Sequence, residues 1–386
     1  MTLLLNPLVI VGSGLAAWNL IREYRKQNPE FPIVVITADD GSIYPKPQIS
    51  VALSKKSEPA QLVQFKASEW SVKERVIVHT HTNVTNIDTQ KRIVFTDQNQ
   101  EIHYEDLVLA TGASPITIPL SGTAAHDVLR INNLSDYQTF RDQLVGKKSV
   151  SILGSGLIGT EFATDLITSG YQVNVIAPDL WPMGALVPDQ VGLALQKQFE
   201  SLGVQFFMTQ TAKSIDYNPD NSIQIELSGG EILQTDLVLA AIGLTPNIAL
   251  AQSIGLKTGR GIIVNKQLQT SQEHIYALGD GIEIEKLTLP FVMPIVAEAK
   301  VLAQVLSGQN TELKLDALPV IVKCTPFPLV IGPDWTRSEG TWGFDQSENG
   351  IVATKRDKDQ NLLSVVLTQN RVTERNVWFK QLPAVV

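Results

Sequence analysis

Cysteine is nearly absent: Cys324 stands alone in 386 residues. One thiol excludes an internal disulfide framework and any cysteine-built metal site, and it fits the reducing cytoplasm expected here. Histidine is scarce as well. His79 and His81 alternate as neighbours on one strand face would, yet no third ligand stands near them, so no metal is expected. Charge is thin, 18% of residues, and its net value of -8 argues against nucleic acid or an anionic membrane as partner. No uninterrupted apolar run reaches the roughly 18 residues of a membrane span. Residues 3–17 are mostly apolar, but no basic segment precedes them and Gly12 and Gly14 interrupt them, unlike a signal peptide. No Gly-x-Ser-x-Gly nucleophile turn stands out. What remains is an ordinary globular composition over a length that suits two to three domains.

What is present is a repeat. Leu8-Val-Ile-Val-Gly-Ser-Gly-Leu-Ala-Ala17 returns as Val150-Ser-Ile-Leu-Gly-Ser-Gly-Leu-Ile-Gly159, and Asp106-Leu-Val-Leu-Ala110 returns as Asp236-Leu-Val-Leu-Ala240. Each opening element is a short apolar run, a Gly-rich turn and a helical pattern; in the first copy these are residues 8–11 and 15–26. In such a turn the first glycine (Gly12, Gly154) allows the tight bend and the second (Gly14, Gly156) lets a pyrophosphate approach. The third small residue (Ala17, Gly159) lets helix and strand pack closely. The helix N-terminus then offers free N–H groups to phosphate. One such turn is a weak signal; two in a repeated frame point to two dinucleotide-binding units. Candidate contacts are Ser13, Leu15 and Ala16 in the first, and Leu157 and Ile158 in the second.

The second strand of such a unit usually ends near an acid that bonds the adenosine ribose. In the first unit Ala38 is followed by Asp39 and Asp40, either of which suits, although Asp39-Asp40-Gly41 also reads as a plain turn. In the second, Ala177-Pro178 stands where the acid belongs, with Asp179 just beyond. No Lys or Arg lies between residues 172 and 196 to hold a 2′-phosphate, so NADH is expected over NADPH.

Ala110-Thr111-Gly112 closes a strand of the first unit, Gly243 stands at the matching place in the second, and Ile275-Tyr-Ala-Leu-Gly-Asp280 ends a further strand. With Tyr44-Pro-Lys-Pro47 and Leu153-Gly-Ser-Gly-Leu-Ile-Gly-Thr-Glu-Phe-Ala163, these make the chain resemble the pyridine-nucleotide flavoprotein reductases. Within them it resembles the rubredoxin–NAD⁺ reductases, over nearly its whole length.

The resemblance implies an α/β fold: two Rossmann-like dinucleotide-binding domains of glutathione-reductase type plus a small C-terminal α+β domain. It implies FAD on residues 1–120 and 244–315, NADH on 121–243, and a C-terminal domain over 316–386. Gly279 and Asp280 would meet the ribityl chain of FAD, and Val84 the adenine. Lys46 would lie by the reactive edge of the flavin, paired with Glu161, where a cation offsets the charge that hydride delivery brings. A solvated surface lysine is the bland alternative. Val292 would touch the ring from the start of a helix over residues 292–303, and Lys323 would reach the flavin from the third domain. Relatives that carry a redox cysteine pair or a peroxidatic cysteine after the second strand differ from this chain, which has none there. Electrons are therefore expected to leave directly from the flavin to rubredoxin, supplying a hydroxylase or other oxidase such as one for alkanes.

The alternatives are a [2Fe–2S] ferredoxin as acceptor, since related ferredoxin reductases carry Arg where Lys46 stands, or a flavin-binding, NADH-responsive protein with little turnover. A monomer is compatible with all of this. Residues 351–386 carry Lys355, Arg356, Lys358, Arg371, Arg375 and Lys380 against Asp357, Asp359 and Glu374. With Lys55 and Lys56 they are either a docking face for an acidic carrier or an ordinary charged surface.

Overall fold

Short runs rich in Val, Ile and Leu, with no polar alternation, suit strands covered on both faces. Four of them, with Ile77–His79, make an all-parallel sheet in the order Ile275–Ala277, Asp106–Leu109, Leu8–Val11, Ile33–Ile36, Ile77–His79. The computed structural model describes residues 6–386; residues 3–5 of the apolar N-terminal run lie outside it. The sheet takes its last strand from far down the chain, beyond a second complete unit. The helices Leu15–Arg25 and Val292–Leu306 pack together, with Ala17, Leu20 and Ile21 of one and Ala299, Leu302 and Ala303 of the other buried in the same core.

The second sheet repeats the plan: Gln205–Met208, Gln172–Ala177, Ser149–Leu153, Leu237–Ala240, all parallel. In each unit the strand before the Gly-rich turn lies between the second strand and the closing one. In each, a three-stranded antiparallel meander precedes the closing strand: Val84–Asp88, Ile93–Thr96 and Glu101–His103 in one, Ala212–Tyr217, Ile223–Leu227 and Ile232–Thr235 in the other. Ala113–Pro115 and Leu244–Pro246, each just after a closing strand, pair antiparallel and join the two units.

The C-terminal sheet is antiparallel, in the order Val320–Val322, Leu329–Gly332, Leu362–Thr368, Gly350–Arg356, Thr341–Ser347. Its inner face shares one core with the second unit, where Cys324, Phe327 and Ile331 meet Phe162, Leu166 and Val150. The first helix ends one residue short of expectation, at Arg25, and the late helix continues past residue 303 to Leu306. His79 ends a strand, whereas His81 sits at φ +49°, so the two do not share a strand face. Among the described residues no cluster of three metal-ligating side chains occurs, and no helix is long and apolar enough to cross a membrane.

Candidate functional site

Three turns far apart in sequence converge on one place. Gly12 bends at φ +108°, and a Cβ there would stand 2.3 Å from the Ala110 carbonyl oxygen. Gly279, at φ +87°, would meet Ala16 Cβ at 2.8 Å. Gly281 abuts Gly112 O and Thr111 Oγ1. The Gly-rich turn, Ala110-Thr-Gly112 and Gly279-Asp280 are thus in mutual contact. Asn247 clasps the middle one: its Nδ2 donates to Thr111 O at 2.8 Å and its N–H to Gly112 O at 2.9 Å, while Thr111 Oγ1 donates to Asn247 O. Sequence reading missed Asn247, which no motif marks.

At the edge of this turn Ser13 Oγ donates to Asp39 Oδ1 at 3.1 Å, and Thr37 Oγ1 and Gly41 N donate to the same oxygen. Asp39 is therefore the acid beside the turn, with Ala38 exposed before it; Asp40 instead accepts from Ser42. His81 N and Thr82 N donate to Asp39 O and Thr37 O, which brings the segment leading to half-buried Val84 alongside.

The second unit reproduces this, with one correction. Its acid is not missing: Ser155 Oγ donates to Asp179 Oδ2 at 3.2 Å, the counterpart of Ser13 and Asp39. Here the strand continues to Ala177, so the acid reaches the turn from a shorter connection. Gly154 bends at φ +106° against Ala241 O, and a Cβ on Gly159 would stand 2.1 Å from Gly154 O. Ile158 is exposed on the first helical turn and Leu157 half-buried. Gly243, at φ +109°, lies where the units join, its carbonyl accepting from Ile116 N.

The expected Lys46–Glu161 pair is not formed. Glu161, 1% exposed, pairs with Lys323 Nζ and accepts from Lys323 N (3.1 Å) and Ser50 Oγ (2.6 Å). The 3₁₀ turn Lys46–Val51 aims Ser50 at Glu161, and the backbone bond of Lys323 tethers its ammonium there too. Lys46 Nζ instead donates to Asn132 Oδ1 at 2.8 Å. Burial lowers its pKa, opposed by the charges of Asp280 and Asp136; burial likewise raises Asp280, opposed by Lys46. Lys46 and Asp280 therefore act on one another, while Glu161 joins the turn that carries Ser50 to the C-terminal part through Lys323. Asp165, one turn on from Glu161, adds bonds to Leu53 N and Ser54 N.

The residues fit a dinucleotide. Gly14 and Gly156 have ordinary φ and nothing within 4 Å of a Cβ, so the chain's own packing does not require glycine there, whereas an approaching pyrophosphate does. The helices Leu15–Arg25, Leu157–Thr168 and Val292–Leu306 start without a side-chain cap, unlike Leu134–Gln143, which Asn133 caps. Free N–H groups at such starts attract phosphate or other anions. Val292 is exposed at the third. Two residues before Asn132, Arg130 has its buried Nε without a protein partner. Glu298, on the Val292–Leu306 helix, accepts from Gly279 N at 2.7 Å. Neither Arg130 nor Glu298 was singled out from sequence.

The basic C-terminal face is partly consumed. Lys355 bonds Asp334 and Ser338 O, and Arg371 pairs with Asp345 and Glu374. Lys358, Arg375, Lys380, Lys55 and Lys56 are exposed.

Residues 6–300 match the Pyridine nucleotide-disulphide oxidoreductase family, and residues 312–382 the Rubredoxin binding C-terminal domain. The chain is 42% identical to a rubredoxin-NAD(+) reductase of Alcanivorax borkumensis, over 99% of this chain and 100% of that one. It is 39% identical to a protein of the same name from Acinetobacter baylyi, over 94% of each. The crystal structure of NADH:rubredoxin oxidoreductase from Clostridium acetobutylicum superposes with a TM-score of 0.83 at 19% identity, covering 97% of this chain and 94% of that one. The chain belongs to the pyridine nucleotide-disulphide oxidoreductase family, among its rubredoxin–NAD(+) reductases.

Proposed function

We propose that the chain is an FAD-dependent reductase that takes electrons from NADH and delivers them to rubredoxin, with FAD on residues 1–120 and 244–315, NADH on 121–243 and the carrier on 316–386. The observation that carries this reading is the meeting of the Gly-rich turn, Ala110-Thr-Gly112 and Asp280 with Lys46 beside them, in a chain whose last part matches a rubredoxin-binding domain. FAD, when bound, accepts a hydride and releases electrons singly. The protein's part is to bind and orient. The first-turn N–H groups after Gly14 hold phosphate, Asp39 the adenosine ribose and Asp280 the ribityl hydroxyls. Lys46, its desolvated ammonium fixed by Asn132, sets a positive charge at the reacting edge. The N–H groups after Gly156 and the Asp179 carboxylate orient NADH, and the lack of Lys and Arg between residues 172 and 196 favours it over NADPH. Cys324 takes no part: it is buried, which pushes its thiol up to about 11. The cell compartment proposed is the cytoplasm, and the use proposed is supply of a hydroxylase such as one acting on alkanes.

The test is the initial rate of NADH-driven rubredoxin reduction by the FAD-loaded protein, with a [2Fe–2S] ferredoxin in parallel. A fast rate confined to rubredoxin is expected. Preference for ferredoxin would change the acceptor and keep the hydride chemistry, and reduction of neither would overturn the carrier reading.

A further inference from the structure

A carboxylic acid lies behind the Gly279-Asp280 turn. Glu298 sits in the second turn of the Val292–Leu306 helix, is 1% exposed, and accepts the Gly279 N–H at 2.7 Å. Gly279 is the residue whose φ of +87° and contact with Ala16 set the turn. Among the described residues no cation acts on Glu298. Asp280 is the charge that acts on it, and Lys46 lies beyond, facing Asp280. The first helix, packed against this one, turns its own charges elsewhere: Arg22 over the Trp18 ring, Glu23 to Lys26, Arg25 to the carbonyls of Glu74 and Phe31. Tyr24, pushed up to about 12 by burial, stays neutral, and Lys300 on the same helix is exposed.

We infer that Glu298 is a positioning residue of the FAD site, whose buried carboxyl holds the Gly279-Asp280 turn in its binding form and makes retention of the flavin weaken as pH rises. This rests on the FAD reading above. Burial and Asp280 push Glu298 up to about 8 in the flavin-free protein, so it is neutral below that pH and charged above it. A bound anionic dinucleotide excludes water and adds negative charge nearby, which raises the acid further. A group whose pKa is higher in the bound state favours binding below its free-state value. Affinity is therefore level up to about pH 8 and then falls by at most about tenfold per pH unit until the bound-state value is reached.

The experiment is dilution of the holoprotein from pH 6.5 to about 9.5, reading released FAD by its fluorescence, for the wild type and Glu298→Gln. The wild type is expected to lose affinity at the alkaline end, and Glu298→Gln, whose amide oxygen still accepts from Gly279 N–H, to give a flat profile. Glu298→Met, of similar volume and without an acid, replaces the glutamine variant if that one does not fold, with the same flat profile expected. A flat wild-type profile, or a fall shared equally by the variant, would overturn the inference. A preparation without flavin would overturn the FAD reading itself, and this inference with it.

Discussion

Lys46 is held, against the cost of burying its charge, by one hydrogen bond rather than by an ion pair. Flanking prolines stiffen its backbone, Asn132 holds its Nζ, and the carboxylate that acts on it most is Asp280. Replacing Lys46 with Met removes the cation proposed for the reacting edge and little packing. Stopped-flow absorbance is expected to show flavin reduction by NADH slowed on the order of a hundredfold, with the melting temperature moved by only a few degrees. An unchanged reduction rate would remove Lys46 from the mechanism. Asp179 makes the second prediction at this scale. It takes the place of Asp39 in the second unit, in a stretch without Lys or Arg from residue 172 to 196, so Asp179→Arg is expected to raise the KM for NADH and lower that for NADPH. Steady-state kinetics with both nucleotides check this; a preference that stays put would mean that Asp179 does not meet the ribose.

At the scale of elements, one helix carries the tie between three parts of the chain. The Leu157–Thr168 helix buries Glu161 and Asp165 one turn apart; the first accepts from Ser50 and Lys323, the second from Leu53 and Ser54. Removing one partner of a buried ion pair leaves the other charge uncompensated, at a cost of roughly 3–5 kcal/mol. Lys323 is partly exposed, so Lys323→Met is expected to cost somewhat less, about 2–3 kcal/mol, seen as a lower denaturant midpoint with an unchanged slope. Stability equal to the wild type would show that water replaces the lysine. The helix and its Gly-rich entry were legible in sequence from the repeat. The partner of Glu161 was not, because the two lysines that could reach it lie 277 positions apart in number (323 minus 46) and nothing local chooses between them.

For the whole molecule, the C-terminal sheet shares the core of the second unit on one face and closes a small core of its own on the other, where Val352, Val365 and Leu367 meet Trp378, Phe379 and Leu382. That arrangement packs the part that matches a rubredoxin-binding domain against the unit proposed to hold NADH. It also spends charges that looked free in sequence: Lys355 and Arg371 are ion-paired within the sheet region. Lys355→Ala is therefore expected to reduce stability while leaving the KM for rubredoxin near its wild-type value. Exposed Lys358 and Lys380 remain able to steer a carrier, so Lys358→Ala together with Lys380→Ala is expected to raise that KM and flatten its dependence on salt. Carrier-reduction kinetics across ionic strength check both, and a salt response untouched by the double substitution would place docking elsewhere.

By itself the sequence determined what depends on short stretches of chain. Strand, glycine turn and helix are neighbours in sequence, so the two repeated units, their Gly-rich turns and an acid beside the first turn, Asp39 or Asp40, could be read from spacing and residue type. The late strand with Gly279-Asp280 was legible because its motif is local too. Only the tertiary structure decided matters of contact between distant segments: that Gly279 abuts Ala16, that Asp39 rather than Asp40 takes the Ser13 hydroxyl, and that Asp179 restores the acid of the second unit. It likewise decided that Glu161 belongs to Lys323 and that Glu298 sits beneath Asp280. The physical reason is common to all of these. A buried polar group must find its partner wherever packing brings one, and packing is set by the whole core rather than by the residues beside it in the chain.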